Sequence, residues 1–88
     1  MIYSLNIKED IKKHLLKLKK KNLNQFLIIR KKIAEIIENP HHYKNLKAPL
    51  NHLKRVHIDK HFVLIFSVDE EAKTVMIEDY DHHDRVYR

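Results

Sequence analysis

His57, His61 and His83, with Arg55, Lys47, Lys54, Arg85 and Tyr87, are the side chains of this sequence best equipped for chemistry on a phosphodiester. Most fall in two segments, Leu53-Lys-Arg-Val-His-Ile-Asp-Lys-His-Phe62 and the final Asp81-His-His-Asp-Arg-Val-Tyr-Arg88. Cutting RNA without a metal needs a base to take the 2′-hydroxyl proton and an acid to protonate the departing 5′ oxygen. It also needs cations to hold the added negative charge. Imidazole, with an unperturbed pKa of about 6.5, serves either proton transfer near neutrality. Guanidinium and ammonium groups pair with phosphate oxygens. His57, His61 and His83 are therefore the candidates for proton transfer, and Arg55 for charge stabilisation. Lys47, Lys54, Arg55 and Arg85 are the candidates for RNA contact, and Tyr87 for stacking on a base or lending its hydroxyl.

Each candidate has an ordinary structural alternative. The chain has eight histidines, and a histidine is more often solvated or hydrogen-bonded than catalytic. His14 reads as surface, and His41, His42 and His52 as loop residues or phosphate contacts. Alternation puts Lys54 on the Val56 side, where it would be a strand-end charge. Arg85 and Arg88 have tail acids to pair with, and Tyr87 could simply anchor the tail. His57, His61, His82 and His83 with Asp59, Asp79, Asp81 and Asp84 are the residue types of a metal site. Spacing of four residues gathers ligands on one face only in a helix, and 57–61 reads as strand and turn. No metal or cofactor is expected.

The elements that must position these groups follow from apolar periodicity. Met1 to Asn6 alternates as a short strand. Asn6, with Glu9 at the capping-box position, opens a helix over 7–21 whose stripe is Ile11, Leu15 and Leu18. Asn22 or Asn24 caps a second helix, with Phe26, Ile29, Ile33, Ile36 and Ile37 on one face, and Asn39-Pro40 ends it. The two form an antiparallel helical hairpin. Residues 41–51 read as loop. Leu53 to Ile58 alternates, with Val56 and Ile58 opposite Arg55 and His57; Phe62 to Val68 is a nearly continuous apolar strand; Thr74 to Tyr80 is a third. The order β-α-α-β-β-β predicts an α+β fold, with the hairpin on one face of an antiparallel sheet and the other face free for chemistry.

Composition limits the classes of function. Eighty-eight residues suffice for one domain, taken as 1–88. At 43% hydrophobic and 34% charged the chain is globular. No apolar run nears the roughly 20 residues that span a bilayer, and the start lacks a secretory signal, so a cytoplasmic location is expected. Without cysteine there is no disulfide framework, thiolate nucleophile or cysteine-bound zinc. A net charge of +6 favours an anionic partner, nucleic acid first and an acidic protein second.

With these residues in place, the chain resembles the RelE/ParE superfamily of bacterial and archaeal type II toxins. The resemblance spans nearly its whole length: a short strand, a helical hairpin, Asn39-Pro40 followed by Tyr43-Lys-Asn-Leu-Lys47, then Leu53…Arg55-Val-His-Ile58. It continues through Phe62-Val-Leu-Ile-Phe-Ser-Val68 to His82-His-x-x-Val-Tyr87. The family commonly ends in His-Arg-x-x-Val-Tyr, so His83 stands where arginine is usual. RelE has an arginine after the aromatic that opens the central strand, and Val63 occupies that place here. The YafQ-type branch, which uses histidines, is closer: His57…His61-Phe62 and His83…Tyr87 are similar to its pattern, with His61 where it carries aspartate.

The resemblance implies a toxin that cleaves messenger RNA on the ribosome by metal-independent 2′-hydroxyl attack, neutralised by an acidic, RelB-like antitoxin in a hetero-oligomer. His83 and His57 would share acid and base roles, with Arg55, Lys47 and His61 on the phosphate. The Lys17, Lys19, Lys20, Lys21 run reads as a solvated face that secondarily docks on ribosomal RNA. Two alternatives remain open here: a ParE-like gyrase inhibitor without nuclease activity, and an inactive relic that only binds antitoxin. Clustered histidines argue against the first, because inhibition by binding has no use for proton-transfer groups.

Overall fold

A computed structural model of the chain describes residues 2–82. Along the sequence run β1 (Ser4–Ile7), α1 (Glu9–Lys21), α2 (Leu23–Glu38), a single 3-10 turn (Pro40–His42), β2 (Lys54–Ile58), β3 (Phe62–Asp69) and β4 (Thr74–His82). The helices form one layer over a four-stranded sheet of order β1-β4-β3-β2.

The apolar stripes predict the buried faces well. Ile11 and Leu15 of α1 and Ile29, Ile33 and Ile36 of α2 pack against Val56, Ile58, Leu64, Phe66, Val75, Ile77 and Tyr80 of the sheet. Burying each such side chain stabilises the fold by about 1.5–3 kcal/mol. Glu9 and Asp10 in the first turn of α1 and Lys19, Lys20 and Lys21 in its last complement the helix dipole. The Asn22 side chain caps α2 by accepting from the Gln25 amide at 3.1 Å. Gln25 is buried, and its Nε2 donates to the Tyr80 hydroxyl at 2.9 Å.

The structure corrects the sequence reading in three places. The sheet is mixed, because β1 pairs with β4 in parallel (Ser4 opposite Thr74, Ile7 opposite Ile77) while β2-β3 and β3-β4 are antiparallel. Strands this far apart in the chain share no turn, so their relative direction leaves no local trace. Asn6 does not cap α1: it lies in the ladder opposite Met76, and the N-cap is Lys8, which makes no side-chain capping bond. Residues 43–53 are more ordered than a plain loop. Leu46 N donates to Leu53 O at 2.9 Å and Arg55 N to Lys44 O at 3.2 Å, so the segment folds along the outer edge of β2.

No residue is glycine, so the tight turns use other residues at positive φ. Asp59 (φ 49°) stands between β2 and β3, and Lys73 (φ 50°) between β3 and β4. Asp59 is among the residue types that tolerate this region, and its carboxylate accepts from the His61 amide at 2.9 Å.

Candidate active site

Alternation along β2 separates two sets of side chains. Val56 and Ile58 are buried under the helices, while half-buried Arg55 and exposed His57 point the other way. Register extends this second face across the sheet. Arg55, Ile65 and Asp79 form one cross-strand row, and His57, Val63 and Asp81 the next. The outer members of each row are two strand spacings apart, roughly 10 Å. Ile65 and Val63 between them are buried, so the middle of this face is closed and the polar groups lie along its flanks. Asp79 and Asp81 each turn back onto the next backbone amide, of Tyr80 at 2.8 Å and His82 at 2.7 Å.

At the β2 edge lies a groove of about 270 Å³ lined by His42, Tyr43, Lys44, Arg55, Val56 and His57. Its far wall comes from the turn after α2. That wall is built firmly: Tyr43 packs edge-on against Phe66 with centroids 5.8 Å apart, and burial raises its hydroxyl pKa. Lys54 Nζ donates to Tyr43 O at 3.1 Å and to Asn45 Oδ1 at 2.8 Å. Lys54 thus ties the loop to the strand. No carboxylate lines the groove among the described residues, so its character is cationic and imidazole-bearing.

A second polar cluster braces the same turn from behind. The Glu70 carboxylate accepts from the Tyr3 hydroxyl at 2.7 Å and from Lys73 Nζ at 2.5 Å, and it contacts His41 Nε2. Hydrogen bonds from Lys73, then Tyr3 and His41, hold its pKa down to about 2. On β4, burial opposes the charge of Glu78, but Lys8 at 2.8 Å and Ser67 at 2.6 Å outweigh it and leave the pKa lowered.

The structure brings together Arg55 and His57, two of the sequence candidates. His61 is not among the residues lining that groove, and its ring stacks on His82. Lys47 is exposed in the edge loop, its carbonyl accepting from Leu50 N at 2.9 Å. His83, Arg85 and Tyr87 lie outside the described residues. Among the described residues no three His, Asp or Glu side chains are grouped to hold a metal ion. Three placements have no signal in the sequence. His42 and Lys44 flank Tyr43 in the groove wall, a placement that only the return of the loop along β2 reveals. His14, though exposed, meets Tyr80 edge-on at 5.4 Å. His41 belongs to the Glu70 cluster.

A helical hairpin over a four-stranded mixed sheet defines a class of small α+β domain that known proteins share. The chain is 62% identical over 86 residues to an uncharacterized protein of Methanosarcina mazei, covering 98% of this chain and 100% of that one. It is 53% identical over 87 residues to a protein of Methanocaldococcus jannaschii designated toxin RelE4, covering 99% and 93%. Among solved structures, a YoeB/ParE toxin from Agrobacterium tumefaciens aligns with TM-score 0.79 at 10% identity, over 91% of this chain and 98% of that one. Free Escherichia coli RelE, as a double arginine-to-alanine mutant, gives 0.78 at 19%, over 99% and 90%. The RelBE2 toxin-antitoxin complex of Mycobacterium tuberculosis gives 0.74 at 20%, over 94% and 100%. No family model matches the chain. The chain belongs to the RelE family, toxins of type II toxin-antitoxin systems.

Proposed function

We propose that the protein is a ribosome-dependent messenger-RNA endoribonuclease working without a metal ion. The observation that carries this reading is the convergence of Arg55 and His57 on a groove whose other wall presents His42 and Lys44. Such a groove suits a phosphodiester: cations draw the phosphate in, and an imidazole stands beside it. In the reaction the 2′ oxygen attacks its own phosphorus and its proton passes to the base. The bond from phosphorus to the 5′ oxygen breaks, and the acid protonates that oxygen. The products are a 2′,3′-cyclic phosphate and a 5′-hydroxyl. His57 and His83 share the two proton transfers. Arg55 and Lys47 stabilise charge on the phosphorane, Arg85 contacts the RNA, and Tyr87 stacks on a base or lends its hydroxyl. Lys54 acts through the loop it anchors. Within the family, the histidine pattern supports a YafQ-type reading.

The cognate partner is an acidic antitoxin of RelB type. A toxin-antitoxin complex among the structural neighbours supports this, as does the +6 charge. The site of action is the cytoplasm; consistent with that, no described helix is long and apolar enough to cross a membrane.

The test is primer extension on message undergoing programmed translation, with wild-type protein and the His57→Ala and His83→Ala variants. Codon-phased cuts from the wild type that both variants lose are the expected result. Intact message with folded wild-type protein would refute the reading, and gyrase-dependent DNA damage on expression would then favour the ParE-like alternative.

A further inference from the structure

A run of rings at one end of the sheet has no part in the mechanism just described. His61, in the turn between β2 and β3, lies nearly parallel to His82, the last residue of β4, with an interplanar angle of 9° and centroids 5.8 Å apart. His82 meets Phe62 edge-on at 5.6 Å, and Phe62 stacks on Tyr80 at 5.4 Å. These separations fall in the range of favourable ring pairs. Tyr80 is 2% exposed and accepts from buried Gln25, so the ladder runs from the core to an exposed imidazole. The turn carrying His61 is itself fixed, because Asp59 accepts from the His61 amide.

His61 stacks on His82, a residue of the helix-facing side of the sheet. Phe62 and His82 are paired with each other and share the helix-facing side of the sheet with Ile58 and Tyr80, whereas His57 and Arg55 occupy the opposite side. An RNA strand crossing the sheet end at Ile58–Phe62 would meet cations on one side and a rigid flat ring on the other. Single-stranded RNA is commonly held in this way, its backbone by positive charge and its bases on planar side chains. We propose that the stacked His61–His82 pair is a platform for one unpaired nucleobase of the substrate, and that His61 binds by stacking and transfers no proton. The proposal rests on the ribonuclease reading above.

The experiment measures cleavage of ribosome-bound message against toxin concentration for the full chain, His61→Ala and His61→Tyr. A second readout uses message with 2-aminopurine beside the cut. His61 is exposed, so neither variant should disturb folding, and tyrosine keeps a flat ring while lacking an imidazole. For His61→Ala the half-saturating concentration should rise about 5-fold or more, as expected from losing a base stack, with an unchanged rate at saturation. His61→Tyr should restore wild-type half-saturation and 2-aminopurine quenching. Wild-type cleavage combined with unaltered binding by His61→Ala would overturn the platform alone. A His61→Tyr variant as slow at saturation as a His57→Ala variant would overturn it by making the imidazole a chemical group. Wild-type protein that leaves message intact would remove this inference and the ribonuclease reading together.

Discussion

Burial separates residues that matter for activity from those that matter for stability. His57 is exposed, so truncating it removes a proton-transfer group without opening a cavity. His57→Ala should lower the cleavage rate by roughly 10²–10⁴-fold while its thermal midpoint stays at the wild-type value, checked by single-turnover kinetics and a melting curve. Tyr80 is the opposite case. Its hydroxyl is the acceptor for the amide of buried Gln25, so Tyr80→Phe leaves a buried donor without its partner. The expected cost is about 1–3 kcal/mol, readable by urea denaturation. An unchanged midpoint would show that water or a shifted Gln25 side chain replaces the bond.

Among the elements, the turn after α2 depends on two independent braces, and each predicts a different loss. The Glu70 carboxylate links the residue before β1, the 3-10 turn and the β3-β4 turn through Tyr3, His41 and Lys73. Its folded-state pKa of about 2 is below the ordinary 4.5. A depressed carboxylate adds stability that is complete above its unfolded pKa and is lost as pH falls towards the folded value. The wild type should therefore weaken on acidification from about pH 4.5 to pH 2. Glu70→Gln should flatten that part of the acid limb, followed by circular dichroism from pH 7 downwards. The second brace is the Tyr43–Phe66 contact. Phe66 is fully buried, so Phe66→Ala should cost about 3–5 kcal/mol and also loosen the groove wall at Tyr43. Groove and core share a residue here, so a cleavage defect in Phe66→Ala is structural in origin.

For the whole molecule, net charge sets how the protein meets RNA. With +6 overall, association should weaken as salt rises, the logarithmic slope being about 0.7 per phosphate neutralised on a single strand. Replacing Arg55 or Lys47 by alanine should each reduce that slope by roughly 0.7, measured by fluorescence anisotropy on ribosome-bound or free message across a salt series. Lys13→Ala, on the outer part of α1, should leave the slope unchanged if the groove alone holds the substrate. A fall as large as for Arg55→Ala would extend the RNA surface onto the helices.

Periodicity and breakers alone determined the helices, the strands, their order and most of the core. The stripe from Ile29 to Ile36 and the centre of the Phe62–Val68 run, Val63 to Phe66, bury in the structure as their spacing requires, and Asn39-Pro40 ends α2 because proline restricts the residue before it. Arg55 and His57 were likewise legible, since alternation in β2 puts them opposite Val56 and Ile58. Tertiary structure decided everything that depended on pairing between distant segments. The parallel joining of β1 to β4, the loop folded along β2 that carries His42 and Lys44 to the groove, and the stacking of His61 on His82 all arise that way. A side chain's face is a local property of two successive residues, whereas its neighbours are set by register and by the packing of elements far apart in the chain.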